Sequence, residues 1–181
     1  MRDEPLPADF YEREVVELAR SLLGQRLVVD GVGGRIVETE AYHEDEPACH
    51  AHRGETRRNR SMFQAGGTLY VYRIHQSICC NVVAGPAGAG LAVLVRAIVP
   101  ELGRERIAAR RAGRREREWT NGPGKLCAAL GIGLEHDGTS LIEGPVQVWQ
   151  GESPAEGRIV AGPRIGISKA VDLPWRFLLS D

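Results

Sequence analysis

Lysine is almost absent from this chain of 181 residues. Its 23 basic residues include only Lys125 and Lys169, and the other 21 are arginines. Covalent catalysis through a Schiff base needs an amine nucleophile, usually a lysine. Neither lysine lies beside the acidic segment described below, so we do not expect an amine nucleophile in the site.

Long hydrophobic runs are also missing. No apolar stretch approaches the roughly 18 residues of a membrane span. The charged start at residues 1–5 lacks the apolar segment of a signal peptide. We therefore expect a cytoplasmic protein that has no membrane partner.

The four cysteines show no Cys-x-x-Cys spacing, and Cys79 and Cys80 fall in an apolar, strand-like run. This usage is typical of reduced, buried thiols rather than disulfides or a zinc site. The sequence Cys49-His50-Ala51-His52 does offer metal-ligand types in quick succession. Such close ligands rarely point at one ion without distant partners, and no second cluster supplies them. A metal site is therefore the less favoured alternative, and we expect none.

The formal net charge of −1 does not by itself indicate a nucleic-acid-binding protein, but the arginines are clustered. Local basic patches bind phosphates even when the total charge is near zero. For the group at 53–60 we favour phosphate contact, because it lies next to the candidate site. For the group at 104–117, phosphate binding and a solvated helix with an Arg/Glu loop are equal alternatives. The first group is Arg53, Arg57, Arg58 and Arg60, and the second is Arg104, Arg106, Arg110, Arg111, Arg114, Arg115 and Arg117.

The hydrophobic pattern predicts the order of helices and strands. Asp9 and Glu12 form a capping box before apolar residues at helical spacing, and Gly24 ends that helix. Gly-rich turns separate the strand-like runs, and short connections favour antiparallel pairing. Strands are predicted at 26–30, 34–42, 68–74, 78–83, 91–98, 145–149 and 158–167, and further helices at 101–112 and from Pro123 to Leu130.

This order, without a regular strand–helix–strand alternation, is typical of an α+β fold. A length of 181 residues is enough for one domain with a real core, whereas two domains would be cramped. We expect one domain over residues 1–181, with ragged ends at 1–8 and 178–181.

The segment Val37-Glu38-Thr39-Glu40-Ala41-Tyr42 is the strongest candidate for a site. In a strand, every second residue from Ile36 to Tyr42 shares one face, which includes both glutamates. An edge strand with its polar face in water is the alternative for any single glutamate. Here apolar residues flank the two acids, so the carboxylates must find donors or change their pKa. Such acids beside an aromatic side chain suggest catalysis.

Several blocks of sequence point together to one family. They are Glu-Thr-Glu-Ala-Tyr at 38–42, His50, Arg-Asn-Arg-Ser-Met-Phe at 58–63, Gly-Thr-Leu-Tyr-Val-Tyr at 67–72, Val-Arg-Ala at 95–97 and Gly-Pro-Gly-Lys-Leu-Cys at 122–127. In this order they resemble the alkyladenine (3-methyladenine, or methylpurine) DNA glycosylases of the mammalian type. The blocks lie within residues 35–132, and the flanking parts look compatible, so the resemblance covers most of the chain.

The resemblance implies one compact domain, built on a curved antiparallel β-sheet with flanking helices, that acts as a monomer. It implies a base-excision repair enzyme that flips alkylated or deaminated purines out of double-stranded DNA. The enzyme would then hydrolyse the N-glycosidic bond and leave an abasic site, without a metal or other cofactor. The implied substrate class includes 3-methyladenine, 7-methylguanine, hypoxanthine and ethenoadenine.

Hydrolysis of a base–sugar bond passes through an oxocarbenium-like state at C1′. The site therefore needs a carboxylate that activates water and stabilises positive charge. By resemblance, Glu40 is this general base, and Arg96 holds the same water from the opposite side. An arginine on an apolar strand needs a charge partner, so a buried Arg–Glu pair that only joins two strands is the alternative. Glu38 is expected to be structural.

The resemblance also implies a pocket for the flipped base, which must be stacked and read. Its walls are expected to be Tyr42, His50 and Tyr72, with Asn81 and Leu94 also in the pocket. Alkylation at a ring nitrogen leaves a purine cationic, and aromatic rings attract such a base by about 0.5–2 kcal/mol each. The same charge makes the base a good leaving group.

DNA contacts are expected on both sides of that pocket. Arg57, Arg58 and Arg60 are expected to contact phosphates. Gly124 and Lys125 open a helix whose free N–H groups suit a phosphate, as in the family's backbone-contact helix.

The chain departs from the family at the residues expected to enter the duplex. The family usually has Tyr-x-Ile-Tyr-Gly-Met, with the second Tyr as a wedge, whereas residues 72–77 here are Tyr-Arg-Ile-His-Gln-Ser. His75 stands in the wedge position with Gln76 beside it. The segment from Tyr72 to Asn81 is one residue shorter than in the family, which leaves the role of Asn81 open. This difference predicts weaker discrimination between damaged and normal bases, or a narrower set of excised lesions, than the mammalian proteins of the family show.

Two other functions are alternatives: a catalytically silent protein that binds damaged DNA, and a glycosidase that acts on free nucleosides. Glu40 and Arg96 argue against the first, because binding alone needs no water-activating acid. The two arginine groups favour a polymeric phosphate backbone over a small substrate.

Overall fold

The structure, a computed structural model, describes residues 4–180. Within these residues, eight strands form one sheet in which every pair is antiparallel, and three α-helices accompany it. The strands are β1 (Arg26–Val29), β2 (Val32–Tyr42), β3 (Leu69–Ile74), β4 (Ser77–Val83), β5 (Ala92–Leu102), β6 (Val146–Trp149), β7 (Ile159–Gly162) and β8 (Arg176–Leu179). The helices are α1 (Val15–Ser21), α2 (Arg104–Arg110) and α3 (Pro123–Leu130).

Strand β2 is the centre of the sheet, whose main order is β3-β4-β5-β2-β1-β6. β5 pairs along one edge of β2. The other edge is shared, because β1 pairs with the first four residues of β2 and β8 pairs with Glu38–Glu40. The crowded start of β2 requires glycine: a Cβ on Gly33 would overlap the carbonyl oxygen of Leu27, and one on Gly34 would overlap that of Val99.

A β-bulge in β2 changes which side chains share a face. The register with β5 shifts between Ile36 and Glu38, so Val37 is an extra residue. Ile36 packs in the main core, whereas Tyr42 packs against a separate cluster. The predicted common face of Ile36 and Tyr42 is therefore wrong, because an extra residue in one strand inverts the alternation that follows. Glu40 and Tyr42 do lie on one face, since their side chains are hydrogen-bonded.

Helix α1 closes one side of the main core. It buries Val15, Leu18 and Ala19, at the helical spacing that the sequence predicts. Full burial of a leucine side chain stabilises the fold by about 1.5–3 kcal/mol. The predicted cap is wrong, because Asp9 lies in a separate 3₁₀ turn. Glu14 caps α1 instead, and its carboxylate accepts hydrogen bonds from two backbone N–H groups of the first turn.

A smaller apolar cluster lies apart from the main core, with Tyr42, Phe63 and Tyr72 packed against it. Its buried members are Cys49, Ala51, Met62, Tyr70, Val83 and Ala92. This cluster supports the cavity described in the next section.

Some element boundaries differ from the prediction. β5 extends to Leu102, into residues predicted as the helix 101–112, so α2 is confined to seven residues. The strand predicted at 158–167 ends at Gly162, because Pro163 has no N–H to donate to a ladder. The chain then runs as an irregular segment to β8, a strand that the sequence analysis did not predict.

Ragged ends were expected at 1–8 and 178–181. Leu6 instead donates its N–H to a backbone carbonyl of β6 at 2.8 Å, and β8 pairs with both β2 and β7. Backbone pairing thus reaches both described ends, and the expectation of ragged ends stays a prediction. Residues 1–3 and 181, to which the same expectation applied, lie outside the described residues.

The predicted fold class is confirmed: the chain is one α+β domain with a curled antiparallel sheet. The helix predicted from Pro123 to Leu130 is α3, with the same bounds. All four cysteines are buried free thiols, as predicted. Of the helices between residues 4 and 180, none has the length and apolar composition that crossing a bilayer requires.

Candidate active site

A cavity of about 550 Å³ opens beside the smaller apolar cluster. Strands β2 to β5 supply its floor and walls, and residues around 47–50 and 165–169 close its sides. Six of the residues predicted for the site line this cavity. They are Tyr42, His50, Tyr72, Asn81, Leu94 and Arg96.

Glu40 lies behind the wall of the cavity and has no exposed surface. Its Oε1 accepts a hydrogen bond from the backbone N–H of Ile165 at 2.7 Å and lies 3.3 Å from Nη1 of Arg96. Its Oε2 accepts from the hydroxyl of Tyr42 at 2.8 Å. A carboxylate has about four acceptor positions. One position, on Oε2, therefore has no donor among residues 4–180.

Arg96 joins Glu40 to a second acid. Its Nε donates to Oε1 of Glu38 at 3.0 Å, while its Nη1 faces Glu40. The same Glu38 oxygen accepts from Nη1 of Arg176 at 3.0 Å. Two acids and two arginines thus alternate in one network, which compensates the burial of their charges. Of these four residues, only Arg96 lines the cavity.

Aromatic rings form one wall of the cavity. The ring centroids of His50 and Tyr72 are 4.5 Å apart with planes at 73°, and those of Tyr70 and Tyr72 are 5.5 Å apart. Burial raises the pKa of all three cavity tyrosines, and the charge of Glu40 adds to this effect at Tyr42. These phenols are therefore uncharged at neutral pH and keep their donor hydrogens. Tyr70 was not singled out in the sequence analysis.

His50 contacts Tyr70 through a hydrogen bond of 2.9 Å between Nδ1 and the phenol oxygen. Burial lowers the pKa of His50, and the positive charge of Arg58 lowers it further. His50 is consequently neutral at neutral pH.

Asn81 and Leu94 face each other across β4 and β5. Asn81 is buried, and its Nδ2 donates to the carbonyl of Tyr70 at 3.0 Å. Both residues line the cavity, so the shortened segment before Asn81 does not displace it from the pocket.

The segment between β7 and β8 belongs to the site, which the sequence analysis missed. Ile165 supplies the N–H that holds Glu40, and residues 165–169 line the cavity. The only local signal is the Gly-Pro pair at 162–163, which marks the end of a strand. Lys169 is part of this segment, so one of the two lysines does line the cavity.

The hairpin between β3 and β4 ends beside the cavity. Ile74 lines it with 49% of its surface exposed. His75 and Gln76 form the exposed two-residue turn, and His75 has a φ of 51°, which is uncommon for a residue other than glycine. Ser77 packs against Gly124, where a Cβ would lie 2.9 Å from the Ser77 side chain. Gly124 therefore allows α3 to approach the hairpin closely.

Helix α3 begins at the rim of the cavity. Pro123, its first residue, is one of the lining residues. Lys125 is exposed, and its ammonium donates to Oδ1 of Asn121 at 2.9 Å. The start of this helix and the hairpin thus flank the same side of the opening.

The two arginine groups differ in their contacts. Arg57 and Arg58 are exposed and make no ion pair with a carboxylate of residues 4–180, whereas Arg60 lies 3.3 Å from Glu55. Most of the second group is held by the protein itself, which favours the structural alternative for it. Its contacts join Arg104 to Glu116, Arg106 to Asp30, Arg115 to Glu118, and Arg110 to the carbonyls of Ala129 and Leu130.

The side chains of Cys49, His50 and His52 do not converge on one position. Burial raises the pKa of the Cys49 thiol to about 12. His50 contacts Tyr70, whereas Nδ1 of His52 lies 3.0 Å from the carbonyl of Glu44. Within the described part of the chain, no three His, Cys, Asp or Glu side chains are grouped as a metal site requires.

Comparison with known sequences gives one consistent result. The methylpurine-DNA glycosylase family matches residues 9–181. A protein of Granulibacter bethesdensis is 50% identical over 177 residues, which cover 95% of this chain and 82% of that protein. One from Methanoculleus marisnigri is 50% identical over 181 residues, with coverage of 96% and 94%. One from Carboxydothermus hydrogenoformans is 45% identical over 182 residues, with coverage of 97% and 95%. Each of these three relatives is assigned as a 3-methyladenine DNA glycosylase.

Proposed function

The chain belongs to the methylpurine-DNA glycosylase family, and we propose that it excises alkylated or deaminated purines from double-stranded DNA. The damaged nucleotide flips out of the duplex, and its base enters the cavity. Hydrolysis of the N-glycosyl bond then releases the base and leaves an abasic site. The proposed substrates are 3-methyladenine, 7-methylguanine, hypoxanthine and ethenoadenine.

The observation that carries this proposal is the buried carboxylate of Glu40 at the cavity wall. Breaking the base–sugar bond creates positive charge at C1′, and a fixed carboxylate in a poorly solvated site stabilises that charge more strongly than water does. The acceptor position left on Oε2 suits a water molecule, whose proton the carboxylate takes as it attacks C1′. Arg96 contacts Glu40 and also lines the cavity, so it can donate to the oxygen of that water.

Access of water to Glu40 requires a small movement. The carboxylate has no exposed surface, and Tyr42, Arg96 and Ile165 cover it. We propose that binding of the flipped nucleotide shifts Tyr42 enough to admit one water beside Oε2. Hydrolysis is then confined to the DNA-bound state.

Recognition of the base rests on the aromatic wall. Tyr42, Tyr72 and His50 offer ring faces to a purine, and a cationic alkylated purine gains about 0.5–2 kcal/mol per aromatic face. Because His50 is neutral, it adds no repulsion toward such a base. Asn81 and Leu94 lie on the floor, where the amide of Asn81 reads the edge of the base.

DNA binding is proposed along the side of the cavity that carries the hairpin and the start of α3. Arg57 and Arg58 are free to contact phosphates, and Lys125 stands at the start of α3. The exposed hairpin tip, with His75 in its turn, fills the gap that the flipped base leaves. We propose that the chain acts as a monomer, as the family resemblance implies.

The test is single-turnover release of base from duplex oligonucleotides that each carry one lesion. Glu40→Gln keeps the shape of the side chain and removes the base, so we expect lesion binding to persist and release to fall by about 10²–10⁴-fold. Glu101→Gln is the matched control, because Glu101 pairs with Arg26 away from the cavity. This control should release base at the wild-type rate.

Each other outcome points to a different conclusion. Equal release by wild type and Glu40→Gln would remove Glu40 from the centre of the mechanism. Tight lesion binding without release by the wild type would indicate a silent damage-binding protein. Release from free nucleosides at rates equal to those on duplex DNA would indicate a nucleosidase.

A further inference from the structure

Arg164 is a buried cation that the proposed reaction does not use. Its side chain has no exposed surface, and its Nη1 donates to Oε1 of Glu46 at 2.6 Å and to the carbonyl of Ala41 at 2.9 Å. Its guanidinium carbon lies 4.6 Å from the ring centroid of Tyr42 and 5.5 Å from that of Trp175. Arg164 does not line the cavity, so it meets Tyr42 from outside the pocket.

These contacts converge on Glu40, the proposed general base, and on Tyr42, which covers it. Ala41, whose carbonyl Arg164 holds, stands between Glu40 and Tyr42 in β2. Ile165, the next residue after Arg164, donates the N–H that fixes Oε1 of Glu40. One guanidinium therefore holds the backbone beneath the carboxylate, one ring face of the pocket wall and the segment that covers both.

A role limited to stability does not account for this arrangement. Glu46 alone would satisfy the charge of Arg164, and its other oxygen already accepts from the N–H of Ala48 at 2.7 Å. The Ala41 carbonyl and the Tyr42 ring are additional contacts, and both belong to β2, the strand that carries Glu40. Arg164 also has a buried Nε without an acceptor among the described residues, so its position is dictated by the other contacts rather than by full satisfaction of its own donors.

We propose that Arg164 is a positioning residue that fixes the backbone of β2 between Glu40 and Tyr42, and with it the place of the Glu40 carboxylate during the reaction. This inference rests on the proposed function, because it assigns Arg164 to the same reaction. Arg164 touches neither the base nor the water, and it acts through Ala41, Tyr42 and Ile165. Its loss should therefore slow the chemical step more than it weakens lesion binding.

The experiment compares Arg164→Met with Arg164→Lys in single-turnover base release and in equilibrium binding of lesion DNA. We expect Arg164→Met to lower the rate constant by about 10- to 100-fold, as misplacement of reacting groups does, with less than about a 3-fold change in Kd. Arg164→Lys keeps the charge and one donor, so it should recover part of the rate. A purely structural role predicts no such split between rate and binding.

Two further variants control for stability. Arg164→Met leaves Glu46 as an unpaired buried charge. The double variant Arg164→Met with Glu46→Gln removes that charge, and it replaces the single variant in the experiment if the single variant fails to fold. Leu18→Ala destabilises the main core without changing a residue that lines the cavity, and it should leave the rate constant unchanged in the folded fraction. Thermal unfolding identifies conditions under which all variants are folded.

The outcomes separate this inference from the proposed function. If the wild type releases base and the folded Arg164 variants match it in rate, Arg164 is not a positioning residue, and the glycosylase assignment stands. An equal loss of rate in Leu18→Ala would also overturn the inference. If the wild type releases no base from any lesion, the proposed function itself fails.

Discussion

The hydroxyl of Tyr42 donates to Oε2 of Glu40 at 2.8 Å, and the two residues are separated by one residue on β2. Side chains two residues apart on a strand point to the same face, so this contact is a local consequence of extended backbone. It couples the wall of the pocket to the carboxylate behind it. A base that stacks on the Tyr42 ring therefore acts on the group proposed to activate water.

Tyr42→Phe tests this coupling. Phenylalanine keeps the stacking surface and removes one donor from a charged carboxylate. Hydrogen bonds to charged groups contribute about 1.5–3 kcal/mol, so we expect a roughly 10- to 100-fold slower single-turnover release with little change in lesion affinity. Tyr72→Phe is the control, because Tyr72 lines the cavity without contacting Glu40. Equal losses in both variants would show that the Tyr42 hydroxyl has no special role.

Removal of the Arg58 charge should raise the pKa of His50. Arg58 is the second cause, after burial, of the lowered value, and a nearby positive charge disfavours a protonated imidazole. An NMR titration of the His50 ring in Arg58→Ala measures this change. Arg60→Ala serves as the control, because Arg60 lies beside Glu55 and is not among the causes of the shift. A pKa for His50 that is the same in Arg58→Ala and the wild type would contradict the assigned cause.

His50 should also contribute to the pH dependence of stability. Its lowered pKa means that the unfolded chain binds this proton more tightly than the folded protein does. The contribution is therefore fully present above the usual histidine pKa of 6.5 and is lost as the pH falls through the lowered folded value. Urea unfolding at several pH values should show a smaller loss of stability on acidification in His50→Gln than in the wild type. A larger loss in the variant would reverse the assigned sign.

The two arginine groups should differ in the salt dependence of DNA binding. Each phosphate contact that is lost lowers the slope of log K against log salt concentration by about 1. We expect this reduction for Arg57→Ala and for Arg58→Ala. Arg106→Ala should leave the slope unchanged, because Arg106 is held by Asp30 at 2.9 Å. The reverse pattern would place the DNA backbone on the 104–117 group.

The hairpin tip should stabilise the flipped nucleotide. Ile74 lines the cavity and is half exposed, and His75 occupies the turn beside it. Truncating Ile74 to alanine removes apolar surface worth about 0.8 kcal/mol per CH₂, so we expect roughly a 10-fold loss of lesion affinity. His75→Ala should also weaken lesion binding. Fluorescence of 2-aminopurine next to the lesion reports flipping directly. Val160→Ala, an exposed valine of β7, is the control, and an equal effect there would exclude a specific role for the tip.

The residues predicted for the site could be selected from the sequence because their signals are local. Glu40 and Tyr42 lie in one strand, and Tyr72 lies in another whose alternation is regular. The predicted common face of Ile36 and Tyr42 was wrong because of a feature that is not local. The bulge at Val37 depends on how β5 pairs with β2. A single sequence contains no signal for that register shift.

Arg164 and Ile165 could not be predicted from the sequence for a similar reason. Their contacts join residues more than 100 positions apart, such as the bond from Ile165 to Glu40. Neither residue lies in a regular pattern of polar and apolar positions. Their place in the site follows from the path of the chain after Pro163, which tertiary packing decides.

The sequence by itself determined the α+β class, the family, the free buried thiols and the candidate acid with its aromatic neighbours, because composition, periodicity and local motifs carry that information. Tertiary structure alone decided that Glu40 is fully buried, that Arg96 bridges it to Glu38, and that the segment after β7 covers it. These features depend on contacts between distant segments. Their free energy comes from packing and charge compensation across the fold, which no local window of sequence contains.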